Sequence, residues 1–90
     1  MNIELEWDDI KRNWTLNNRS LDFADVALVD WNEAITLEDV QQIYSETRYI
    51  TYALIKDCLC VFAWCYRENY LRVISLRKAN KREERKYVKN

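Results

Sequence analysis

Leu5 and Trp7 alternate with Glu4 and Glu6 and continue the pattern of Asn2 and Ile3, a period of two that predicts a half-buried strand. Asp8 follows as an N-cap. Ile10 and Trp14, four apart, form an apolar stripe on a helix that stops at Asn17-Asn18, since asparagine tolerates a positive φ. Ser20 or Asp22 caps a second short helix with Phe23, Val26 and Ala27 as its inner face. Ala34 to Leu37 suits a short strand, and Glu38 to Ser45 suits either one helical turn or a loop.

From Thr47 to Ala53 the chain is β-branched and aromatic, which predicts a strand. Lys56-Asp57 turns it into a second strand, Cys58 to Tyr66, apolar on both faces and therefore central. Glu68-Asn69 turns again into a third strand, Tyr70 to Ser75, giving a meander with short connections. Asn80 and Glu83 have the spacing of a capping box and open a helix to about Lys89, with Tyr87 as its main apolar residue. The order β-α-α-β-β-β-β-α predicts one α+β domain over residues 1–90. It has an antiparallel sheet, two N-terminal helices and one C-terminal helix.

Composition removes much chemistry from consideration. The 90 residues include no His, no Gly and no Pro. Without glycine there is no P-loop and no dinucleotide fingerprint. Without histidine there is no Ser-His-Asp or Cys-His nucleophile and no His-ligated zinc, and three cysteines cannot close a zinc site alone. No metal and no cofactor is expected. The three cysteines read as structural, with Cys58 and Cys60 on one face of the central strand and Cys65 on the other with Leu59. Trp7, Trp14, Trp31 and Trp64 read as core, while Tyr44, Tyr49 and Trp31 suit interface anchors. The longest apolar run, near Cys58 to Cys65, is far shorter than the ~20 residues that span a bilayer. The first residues lack the basic and apolar regions of a signal peptide. With an odd number of cysteines, a reducing cytoplasm is the expected location.

Net charge is −1, but it is unevenly placed. Between Arg19 and Arg48 there are seven acidic residues and no basic one, whereas the stretch from Arg72 to the end carries +6. An acidic middle suits a basic partner or solubility, and a basic end suits phosphate.

Several segments resemble one family. They are Glu6-Trp7-Asp8 with Lys11, then Leu16 and Phe23, then Glu46 and Arg48, then Arg67. The closing pattern carries Arg72, Ile74, Ser75, Arg77, Ala79 and Glu83, followed by Arg85-Lys86-Tyr87. This order, from residue 6 to residue 87, is similar to the BrnT family of type II toxin–antitoxin toxins, and the C-terminal pattern is its most specific part. The resemblance implies a RelE-like ribonuclease fold, a stress-response role and a cognate BrnA-like, DNA-binding antitoxin. It also implies a toxin–antitoxin hetero-oligomer that touches DNA only through the antitoxin. Where the family commonly has Lys-His-Gly after its first helix, this chain has Asn18, Arg19 and Ser20. Ala53 replaces a usual glycine after the strand arginine.

The resemblance also points to Arg48, Arg67, Arg72 and Arg77 as catalytic residues. RNA can be cut without metal when its own 2′-hydroxyl attacks phosphorus, and arginine then suits the charge on the equatorial oxygens. Arg48, Arg67 and Arg72 lie in or beside adjacent meander strands and converge on one face if the register allows. Arginine cannot move the protons, because it stays protonated. Glu46 is an available base beside Arg48, Lys78 is an alternative if desolvated, Tyr66 or Tyr70 suits stacking on a base or donating a proton, and Ser75 suits a hydrogen bond to phosphate. Ser75, Lys78, Lys81, Arg82 and Arg85 are the expected RNA-binding residues, with the terminal helix tracking the phosphate backbone. Each arginine has a bland alternative as a solvated or ion-paired surface residue. Two functions from different classes follow: a metal-independent endoribonuclease toxin, or a weak or inactive relative that binds antitoxin or RNA.

Overall fold

Two tight turns organise the sheet in a computed structural model that describes residues 4–41 and 43–89. Strand β3 (Arg48–Ile55) turns at Lys56-Asp57 into β4 (Cys58–Arg67), and β4 turns at Glu68-Asn69 into β5 (Tyr70–Lys78). Both residues of the first turn have positive φ, as a type I′ hairpin requires, and Glu68 takes φ 55° in the second. In a glycine-free chain these positions fall to Lys56, Asp57 and Glu68. The meander is the expected one, with each strand running somewhat longer than the pattern alone indicated.

The sheet is mixed rather than antiparallel. Its order is β1-β5-β4-β3-β2, with β2 at Ile35–Glu38 antiparallel to β3, and β1 at Glu4–Trp7 parallel to β5. No local turn joins β1 to β5, so no turn signal announces that pairing. The Asn2-Ile3 part of the expected first strand lies outside the described residues.

Alternation gives the sheet a core face and an open face. Ala53, Ile55, Cys60, Phe62, Trp64, Leu71, Val73 and Leu76 point to the core, joined by Leu5 and Trp7 from β1. That face is closed by Phe23, Val26 and Val29. Here the second expected helix is a 3-10 helix, Phe23–Leu28, capped by Asp22, whose side chain accepts from the Ala24 amide. A repeat of three residues buries positions 23, 26 and 29 and leaves Ala27 exposed, where an α-helix would have buried it.

Helix α1 (Asp9–Arg19) starts at Asp8, whose Oδ1 accepts from the Ile10 and Lys11 amides at 2.8 and 3.4 Å. It ends at Ser20, in the left-handed region at φ 57°, two residues past the expected stop. Its expected stripe faces the wrong way: Ile10 is 80% and Trp14 53% exposed, and Thr15 is the buried residue. Polar pins orient the helix instead. Arg12 donates twice to Asp22, at 2.8 and 2.9 Å, and Arg19 donates to the Leu76 carbonyl at 2.9 Å. Trp14 therefore lies on the surface beneath Arg19, whereas Trp64 is core and Trp31 covers Trp64 and Phe62 edge-on.

Helix α2 (Lys81–Lys89) opens with the expected capping box: the Glu83 amide donates to Asn80 Oδ1 and the Asn80 amide to Glu83 Oε1. Tyr87 donates to the Glu33 carbonyl at 2.6 Å. Among the described residues no helix is long and apolar enough to cross a membrane.

Candidate active site

The register of β3, β4 and β5 decides which arginines meet. Arg48 and Arg72 are both paired with Cys65, one on each side, so all three side chains share the open face. Arg67, two residues beyond Cys65 on β4, shares that face too. Neighbouring strands are ~4.8 Å apart, which places the Arg48 and Arg72 backbones roughly 10 Å from each other across Cys65. Glu6 reaches the same point from β1, where it is paired with Arg72.

A bulge sits at this point. Ala63 pairs with Ser75 and Trp64 with Val73, leaving Ile74 as an extra residue in β5. Strict alternation would send Arg72 and Arg77 to opposite faces; the bulge puts both on the open one. Val73 and Ile74 line the resulting cavity, so the irregularity belongs to the site.

The cavity holds about 80 Å³ and is lined by Arg48, Arg67, Arg72 and Lys11, by the acids Asp8 and Glu46, and by Cys65 as its floor. Its ion pairs are long. Glu6 Oε1 is 3.3 Å from Arg72 Nη1 and 3.9 Å from Arg67 Nε, so one carboxylate serves two guanidinium groups. Arg48 Nε lies 3.5 Å from Glu46 Oε1, is buried, and has no hydrogen-bond partner. The Arg48 guanidinium stacks over the Tyr44 ring at 4.1 Å, and Tyr44 in turn donates to Asp39.

Environment sets the protonation states. A hydrogen bond from Ser45 holds the Glu46 carboxyl below the ordinary carboxylate range, with Arg48 acting in the same direction. Glu46 is thus an anion and an acceptor at neutral pH. Burial pushes the Cys65 thiol up, helped by the charge of Glu46, so it is a neutral thiol. The site combines three guanidinium groups in long ion pairs with an ionised Glu46, and that excess of cations favours an anion with several oxygens.

Other residues singled out by the sequence stand elsewhere. Arg77 is paired with Val61, four β4 positions from Cys65 and therefore roughly 13 Å along the sheet. There it donates to both oxygens of Glu83 at 2.8 and 2.9 Å. Ser75 is exposed on the open face between the two places. Lys78, paired with Cys60, and Lys81, Arg82 and Arg85 of α2 lie toward the far end of β5 from the cavity. Tyr70 is paired with Arg67 beside the cavity, whereas Tyr66 points to the core side against Trp64.

Conversely, Glu6, Asp8 and Lys11 enter the site without having been picked as site residues. The signal was present in the Glu6-Trp7-Asp8…Lys11 spacing, but their meeting with the arginines depends on the parallel β1–β5 pairing. Asn18, Arg19 and Ser20 take no part in the cavity. Asn18 donates to the Trp14 carbonyl, Arg19 to Leu76, and Ser20 supplies the left-handed stop of α1.

A family model described as the ribonuclease toxin, BrnT, of a type II toxin–antitoxin system matches residues 7–83. No curated protein and no solved structure matches the chain.

Proposed function

The chain belongs to the BrnT family of ribonuclease toxins of type II toxin–antitoxin systems, and on that premise we propose that it is an endoribonuclease whose scissile phosphodiester sits among Arg48, Arg67 and Arg72. The observation that carries this reading is the convergence of Arg48, Arg67 and Arg72 on one small cavity, held only by long ion pairs to Glu46 and Glu6. Ion pairs that long leave guanidinium N–H groups for the oxygens of a phosphate, which arginine binds in pairs.

In the proposed reaction the 2′-hydroxyl attacks the adjacent phosphorus, and the three guanidinium groups take up charge on the equatorial oxygens. Glu46, ionised and beside Arg48, accepts the proton of the attacking hydroxyl. Fixed cations supply the electrophilic assistance, so the reaction runs without a metal. Arg77 holds α2, and the basic residues Lys81, Arg82 and Arg85 of α2 track the RNA backbone beyond the cut, whereas Lys78, opposite the core-facing Cys60, lies on the other face of the sheet.

A type II toxin has an antitoxin partner. We infer that this partner is BrnA-like and DNA-binding, that the two form a hetero-oligomer in the cytoplasm, and that the toxin meets DNA only through it. The purified chain, given single-stranded RNA in EDTA, is expected to release fragments ending in 2′,3′-cyclic phosphate and 5′-hydroxyl. Tight RNA or antitoxin binding without cleavage would instead favour a binding module. The positions where the family commonly has Lys-His-Gly favour that second outcome, since Asn18, Arg19 and Ser20 serve α1 and not the cavity.

A further inference from the structure

Cleavage by 2′-hydroxyl attack needs a proton donor as well as a base, because the departing 5′-oxygen leaves as an alkoxide unless it is protonated. Most of the cavity cannot supply one. Guanidinium groups hold their protons too tightly. Glu46 is ionised beside Arg48, and Glu6 is shared between Arg67 and Arg72. Asp8 is engaged by the Ile10 and Lys11 amides as the cap of α1. Cys65 carries a proton but is 1% exposed, beneath the arginines at the cavity floor.

Lys11 remains. It lines the cavity from the first turn of α1, opposite in origin to Glu46, which comes from the segment before β3. The Asp8 cap fixes where its stem begins, and its exposed position lets a flexible four-carbon chain follow a moving oxygen. No ion pair engages Lys11 among the described residues.

We propose that Lys11 is the general acid of this ribonuclease, an inference that rests on the function proposed above. The step balances. The 2′-oxygen bonds to phosphorus as its proton passes to Glu46. The P–O5′ bond breaks with its electron pair on O5′, which takes a proton from the Lys11 ammonium. The products are a 2′,3′-cyclic phosphate, a 5′-hydroxyl, a neutral amine and a protonated carboxyl, and solvent returns the proton from Glu46 to Lys11.

The test compares an ordinary RNA oligonucleotide with one carrying sulfur at the 5′-bridging position, a leaving group that needs no protonation. Lys11→Ala is expected to lose about 100-fold or more on ordinary RNA, as removal of a general acid does, and to stay near wild type on the sulfur substrate. Lys11→Arg keeps the charge without a transferable proton and is expected to show the same selective loss. Equal losses on both substrates, or none on either, would overturn the proposal and leave the ribonuclease standing. So would the selective pattern in Cys65→Ala instead. A wild-type chain that cuts neither substrate overturns the ribonuclease and the assignment together.

Discussion

Two arginine–glutamate groups occupy the open face of one sheet, and they are built to different standards. At the α2 end, Arg77 meets Glu83 through two short, parallel hydrogen bonds, and the same carboxylate also caps the helix through the Asn80 amide. Among the described residues, no buried side-chain polar atom there lacks a partner. Roughly 13 Å away, Arg48, Arg67 and Arg72 share Glu6 and Glu46 through contacts of 3.3 to 3.9 Å, and Arg48 keeps an unbonded, buried N–H. Residue type does not separate them; satisfaction does. A bidentate pair anchored to a helix cap holds a structure together, while the under-satisfied cations around a small cavity are the proposed seat of the RNA phosphate.

That contrast can be broken by substitution. The largest expected effect is on chemistry: Arg48→Ala or Arg72→Ala lowers single-turnover RNA cleavage by about 100-fold, the scale for losing one transition-state donor. Their melting temperatures should stay close to wild type. Arg77→Ala should do the reverse. It costs about 1–2 kcal/mol, because the pair is partly exposed and discounted accordingly, and lowers the melting temperature by roughly 5–10 °C. Its cleavage below the transition should stay within about threefold of wild type, measured against the tenfold that 1.4 kcal/mol represents.

Acid probes the same pair. The hydrogen bonds from Arg77 lower the Glu83 pKa from 4.5 to about 2. Folding thus favours the ionised form, so the stabilisation is complete above the unfolded value and disappears as pH falls from there toward about 2. Asp22, lowered by Arg12, adds to the acid loss. Denaturant midpoints of wild type should therefore fall more steeply over that window than those of Glu83→Gln, which keeps Asp22 but not the titration. The smallest effect is Glu6→Gln. Freeing Arg67 and Arg72 of their shared anion should tighten binding of a non-cleavable oligonucleotide by about threefold, since a part-exposed ion pair is worth ~0.2–1 kcal/mol.

How much of this was legible beforehand follows from which signals are local. The meander could be read from Lys56-Asp57 and Glu68-Asn69, and the last helix from Asn80 and Glu83, because turns and caps are decided by a few adjacent residues. The orientation of α1 could not, since Ile10 and Trp14 look like an inner stripe until the Arg12–Asp22 pair, ten residues apart, turns the helix. Three of the four arginines named from the sequence do meet, and Glu46 meets them. Bringing Arg72 to Arg48 needs only an antiparallel register. Placing Arg77 on that same face needs the bulge at Ile74, while its distance from the cavity follows from its register opposite Val61. Glu6 and Lys11 join through a parallel pairing between strands more than sixty residues apart, which no neighbouring residue announces.

The most direct test is an NMR titration of the arginine Nε–H resonances with a deoxyribonucleotide dimer, whose phosphodiester cannot be cleaved for want of a 2′-hydroxyl. The Arg48, Arg67 and Arg72 signals should shift together along one saturable curve, Arg48 the most, while Arg77 stays still in its pair with Glu83. Movement of Arg77 with Arg48 unmoved, or an equal drift of all four without saturation, would contradict the account.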